Sequence, residues 1–99
     1  MNSAVILSQE AEQDLSIIFD YTYEKFGADQ ALLFISSFDD DFLTIKNHPL
    51  IGKDRSELIL GLRSYIKGQY IIFYRIIPNG IRIVRIIHQS RDLPFHLAP

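Results

Sequence analysis

The sequence predicts an α+β fold in the order β-α-α-β-β-β, a two-helix antiparallel hairpin packed on a mainly antiparallel four-stranded sheet. Three observations carry this. Apolar residues recur at helical spacing through two stretches of the first half. The second half turns to runs rich in Ile, Phe, Tyr and Val. Turn signals at Lys67-Gly68 and Pro78-Asn79-Gly80 divide those runs.

Residues 3–7 read as a short strand. Ser8 stands where a helix N-cap belongs, and Glu10 and Glu12 suit the positive end of the helix dipole. Ala11, Leu15, Ile18, Phe19, Thr22 and Phe26 then repeat at helical spacing, and Gly27 is a good terminator, so the first helix spans about residues 9–26. Asp29 can cap a second helix across a link of two or three residues. Its expected apolar face is Leu32, Ile35, Phe38, Phe42 and Ile45, with Ala31 and Phe34 beside it. That helix should end near Asn47-His48-Pro49, because a residue before proline avoids the helical region. Residues 49–57 read as a polar loop, and 62–66, 69–77 and 81–89 as strands.

The two long strands are apolar on both faces. In the last, Ile81, Ile83 and Ile87 are expected to oppose Val84 and Ile86. One face covers the hairpin. The other stays partly apolar and carries arginine, which implies either a protein partner or a tail, residues 93–99, folded back over it.

The 99 residues suffice for one domain, read as 1–99, and are too few for two. There is no cysteine, which excludes disulfides, thiolate metal sites and a thiol nucleophile, and fits a reducing cytoplasm. The run Ala4 to Leu7 is too short and wrongly flanked for a signal peptide, and the apolar stretch from Ile71 to Ile77 is broken by Arg75, so no membrane partner is expected.

The net charge of −2 conceals a division. Residues 1–50 hold nine acids and two bases, and residues 51–99 eight bases and three acids. The second half should meet something anionic: nucleic acid, an acidic protein segment, or the acidic half of the same molecule. Asp39-Asp40-Asp41 fan out by about 100° each on a helix, so they cannot converge on one ion and read as a solvated face. His88 follows an apolar strand and reads as a structural histidine fixing the tail, by a hydrogen bond to Asp92 for example. Arg91 and Asp92 read as an ion pair locking that tail, and His48 suits a helix C-terminus. No nucleotide loop, zinc motif or nucleophilic triad is present, and no cofactor is expected.

Three stretches resemble the RelE/ParE toxin superfamily, and more closely its ParE branch. They are the opening from Leu7 to Leu15, the segment from Asn47 through Gly61-Leu62-Arg63-Ser64-Tyr65, and Tyr70 to Ile76 with Ile83 to Leu93. Phe73-Tyr74-Arg75 and His88-x-x-Arg91-Asp92 carry the ParE likeness. The resemblance implies the toxin of a type II toxin–antitoxin pair, with a cognate antitoxin as partner and operator DNA met only through it. ParE-like members inhibit DNA gyrase; RelE-like members are ribosome-dependent ribonucleases; an inactive relative would only bind antitoxin and operator.

On this reading Arg63, Arg75, Arg82 and Arg85 are the antitoxin-binding residues, and His88, Arg91, Asp92, Phe95 and His96 face the target. No residue is assigned a catalytic or metal-binding role. RNA cleavage needs a base, an acid and cations for the developing charge. The last ten residues hold no tyrosine, the strand at 62–66 offers only Arg63, and a makeshift set of Arg63, Arg85, His88 and Arg91 would remain.

Overall fold

The computed structural model describes residues 4–90, which form β1 (Ala4–Leu7), α1 (Gln9–Phe26), α2 (Ala28–Asn47), β2 (Lys53–Asp54), β3 (Arg63–Lys67), β4 (Tyr70–Ile77) and β5 (Gly80–His88). The sheet order is β1-β5-β4-β3-β2. β1 runs parallel to β5, and the other pairings are antiparallel. The sheet therefore has five strands rather than four. The extra one, β2, is a two-residue strand inside the expected loop, too short to carry a periodic signal.

Ser8 caps α1 as its position predicts. Its hydroxyl accepts from the Ala11 amide at 2.9 Å and donates to the Val84 carbonyl at 2.7 Å, tying the helix start to β5. Gly27 alone joins the helices. Its amide donates to the Tyr23 carbonyl, its carbonyl accepts from Ala31, and its φ of +90° is one that side chains resist. Asp29 consequently sits inside the first turn of α2 and is not its cap. At the other turn, a Cβ on Gly80 would run into the Ala4 backbone, so β1 and β5 can approach only over a glycine.

The hairpin covers one face of the sheet. Ala11 and Ile18 from α1 and Phe38, Phe42 and Ile45 from α2 pack on Ile72, Tyr74, Ile81, Ile83 and Ile86, with Val5, Leu7, Leu15 and Ile35 at the margin. The helical phase shifts slightly from the expected one: Ala31 is buried, while Leu32 and Phe26 are exposed. The pairing of β4 with β5 shifts register at Phe73/Tyr74, leaving Val84 as an extra residue. Such a bulge reverses the alternation beyond it. Ile86 thus joins Ile81 and Ile83 under the hairpin, and Ile87 joins Val84 on the opposite face, the reverse of the expected assignment.

That opposite face has its own cover. Leu58, Ile59 and Leu62, from the turn between β2 and β3, pack on Ile71, Phe73, Val84 and Ile87. The Arg55 guanidinium lies 5.9 Å from the centre of the Phe73 ring. A segment inside the described chain thus occupies much of the surface for which a partner or the tail was expected.

Candidate functional site

Cross-strand partners share a face, and this sorts the arginines. Arg63 pairs with Tyr74, so it lies on the hairpin side. Its guanidinium donates to the Gly52 carbonyl at 2.6 Å and the Leu50 carbonyl at 3.2 Å. Lys67, two turns of the pleat further along β3, lies 2.6 Å from the Asp41 carboxylate and 5.0 Å from the centre of the Phe38 ring. Asp41 is therefore not part of a solvated acidic face; it is half-buried against β3, while Asp39 and Asp40 are exposed. Between Arg63 and Lys67, the Tyr65 phenol is pushed upward in pKa by burial and then by the Asp41 charge.

Arg75 and Arg82 are direct partners across β4 and β5 on the face away from the hairpin. Arg75 donates to the Leu60 carbonyl at 3.1 Å, and Arg82 is exposed. Arg85 is drawn to α1, where the Asp14 carboxylate accepts from its Nε at 2.8 Å and its Nη2 at 3.0 Å. That bond raises the Arg85 pKa. The four arginines therefore do not form one patch. Asp14 escaped the sequence reading, although it stands three residues from Ala11 and four from Ile18, on the buried stripe of α1.

His88 ends β5. Its Nδ1 accepts from the Ser90 amide at 3.1 Å and lies 2.8 Å from the Ser90 hydroxyl, while Nε2 lies 3.0 Å from the Gln69 side-chain oxygen. An acceptor Nδ1 leaves the proton on Nε2, facing Gln69. The ring packs edge-on against Tyr70 with centroids 5.2 Å apart. Its partners join the β3–β4 turn to the end of β5; the expected partner Asp92 lies outside the described residues, as do Arg91, Phe95 and His96.

Two open grooves meet at Tyr21, Tyr70 and His88. One, of about 400 Å³, runs between α1 and the end of β5 past Asp14, Ile17 and Ser90. The other, of about 470 Å³, crosses Phe26, Phe34 and Gln69. Among the described residues no group of three His, Asp or Glu side chains could hold a metal ion, and no helix is long and apolar enough to cross a membrane. The arrangement offers two open grooves of mixed polar and apolar lining that meet beside His88, which suit binding to another macromolecule.

Comparison with known proteins gives the same outline. The chain is 33% identical over 98 residues to Toxin ParE1 of Mycobacterium tuberculosis (strain ATCC 25618 / H37Rv), covering 98% of this chain and all of that one. It is 32% identical over 94 residues to Toxin ParE1 of Caulobacter vibrioides, covering 93% and 95%. Its fold resembles a solved chain of the chromosomal ParDE toxin–antitoxin system from P. aeruginosa, with a TM-score of 0.75, 19% identity, and coverage of 87% of this chain and 95% of that one. The profile of the family described as the ParE toxin of the type II toxin–antitoxin system, parDE, matches residues 5–93. With that match over most of its length, and the hairpin-on-sheet fold beneath it, the chain belongs to the ParE toxin family of type II toxin–antitoxin systems.

Proposed function

We propose that this toxin acts by binding DNA gyrase, holding it in a DNA-cleaved state and so blocking replication, and that a cognate antitoxin neutralises it. The proposed target-facing residues are His88 and the tail positions Arg91, Asp92, Phe95 and His96. The observation that carries this reading over RNA cleavage is the engagement of three of the sheet's basic side chains. Arg63 holds the loop after α2, Lys67 is bound to Asp41, and Arg85 is bound to Asp14. A phosphoryl-transfer site needs cations directed at the reacting phosphate. These are directed at the protein itself. Among the described residues His88 has neutral partners at both ring nitrogens and no carboxylate to orient it as a base.

The test is purified, antitoxin-free toxin in two assays, gyrase supercoiling and messenger cleavage on translating ribosomes. Inhibition of supercoiling without messenger cleavage is expected. Cleavage in the ribosomal A site with supercoiling untouched overturns the proposal.

A further inference from the structure

We propose that Arg75 and Arg82, together with Ile6 and Leu60, form the docking surface for an acidic, amphipathic segment of the antitoxin. The inference rests on the toxin–antitoxin reading above and narrows it from four arginines to two.

The two guanidinium-bearing residues are set directly opposite each other on β4 and β5, an arrangement in which like charges repel. Among the described residues neither has an ion-pair partner. Asp54 of β2 and Glu57 of the β2–β3 turn are engaged elsewhere, with Ser56 and Arg55. Lys67 and Arg85, by contrast, are bound by carboxylates, and Arg63 is held by two backbone carbonyls where Arg75 has one. A carboxylate placed between Arg75 and Arg82 would turn the repulsion into a bridged, charge-assisted pair of hydrogen bonds.

Apolar groups flank the pair. Ile6 is the register partner of Arg82 on β1, lies on the face opposite Val5 and Leu7, and is 44% exposed. Leu60, whose carbonyl holds Arg75, is 82% exposed. Arginine with exposed aliphatic neighbours is the composition of a protein interface. Binding along a phosphate backbone draws on a longer row of free cations, whereas Arg55 on this face is already held by Glu57 against the Phe73 ring. The occupant that fits is a polypeptide with acids on one side and aliphatic residues on the other.

The experiment uses the full chain and the antitoxin encoded in the adjoining reading frame, with affinity measured by calorimetry at low and high salt. Arg82→Glu sets a carboxylate opposite Arg75 within the toxin, so the melting temperature should hold or rise. Antitoxin affinity should nevertheless fall about tenfold or more and lose most of its salt dependence, while Arg82→Lys should keep most of it. A wild-type chain that does not bind the antitoxin overturns the toxin–antitoxin reading and this surface with it. Tight wild-type binding that Arg75→Glu and Arg82→Glu both leave within about twofold overturns the surface alone. Loss of affinity for a DNA duplex, with antitoxin binding unchanged, overturns it in favour of a nucleic-acid site.

Discussion

The Asp14 carboxylate on α1 holds the Arg85 guanidinium on β5 through two hydrogen bonds and takes a third, at 2.9 Å, from the Ile86 amide. The reason lies in the length of β1. That strand ends at Leu7, opposite Ile83, and among the described residues no strand lies beside the rest of β5 on that side. Ser8 and Asp14 stand in for it: Ser8 binds the carbonyls of Ile83 and Val84, and Asp14 binds the Ile86 amide. Helix start and sheet edge are thus joined without a longer strand, and a buried backbone amide finds its acceptor.

Replacing Asp14 with alanine removes that acceptor and takes the Asp14 ion pair from Arg85, whose side chain is 27% exposed. Unfolding in urea should show a loss of about 2–3 kcal/mol, below the full value of a buried pair because water reaches Arg85. A loss under about 0.5 kcal/mol would show that Asp14 is dispensable to the β5 edge.

Phe38 is 1% exposed at the centre of the hairpin–sheet core, in edge contact with Phe34 and Tyr70. Phe38→Ala should lower the unfolding free energy by about 3–5 kcal/mol, a large part of a small domain's stability. Equilibrium denaturation checks this, and a change below about 1 kcal/mol would mean that the cavity closes or the packing is loose.

The parts of this fold legible in the sequence are those with a repeating pattern or a capping residue. Ser8, Gly27 and Pro49 marked the helix limits, and the spacing of Ile35, Phe38 and Phe42 gave the hairpin's inner face. The bulge at Val84 left no such mark, because Ile83, Val84, Ile86 and Ile87 are all apolar and fit either phase. β2 is too short to have a pattern. Lys67–Asp41 and Arg85–Asp14 join residues 26 and 71 positions apart, and the charge division between the two halves only hinted at them. For the site, single residues were legible but their grouping was not: only the strand register shows that Arg75 and Arg82 are neighbours while Arg63 faces the other way.

The Tyr74 hydroxyl donates to the Pro49 carbonyl at 2.7 Å and accepts from the Gly52 amide at 2.9 Å, fastening the exit of α2 to β4. Tyr74→Phe keeps the packing and leaves the buried Gly52 amide unsatisfied. The expected loss is about 1–3 kcal/mol, accompanied by faster hydrogen exchange at Gly52. Unchanged exchange there would show that another acceptor replaces the phenol.

Two phenols set an alkaline limit. Burial, and then Asp41, raise the Tyr65 pKa above its ordinary 10.0, and burial, and then Tyr21, raise that of Tyr70. As pH climbs through 10.0 the unfolded chain ionises first, so stability is full below that value and falls as pH approaches the folded-state values. Thermal melts between pH 8 and 11 should show this decline, and Tyr65→Phe with Tyr70→Phe should flatten it. An equal decline in the double variant would assign the alkaline loss to other groups.

The decisive contrast between gyrase binding and RNA cleavage lies at His88. His88→Gln preserves much of the side chain's length and hydrogen-bonding capacity toward Gln69 and Ser90 but removes an effective base. If the toxin acts by binding, growth arrest and supercoiling inhibition should stay within a few fold of the parent, provided the melting temperature is kept. Removing residues 95–99 should weaken both, since Phe95 and His96 are proposed to face the target. If the toxin cleaves RNA with His88 as its base, His88→Gln should instead reduce activity by about 10²–10⁴, the usual worth of general acid–base help. Loss of toxicity in a folded His88→Gln protein, with the 95–99 deletion fully toxic, would reverse both expectations. Activity of the parent in neither assay, with the protein folded and free of antitoxin, would favour a relative that retains antitoxin binding alone.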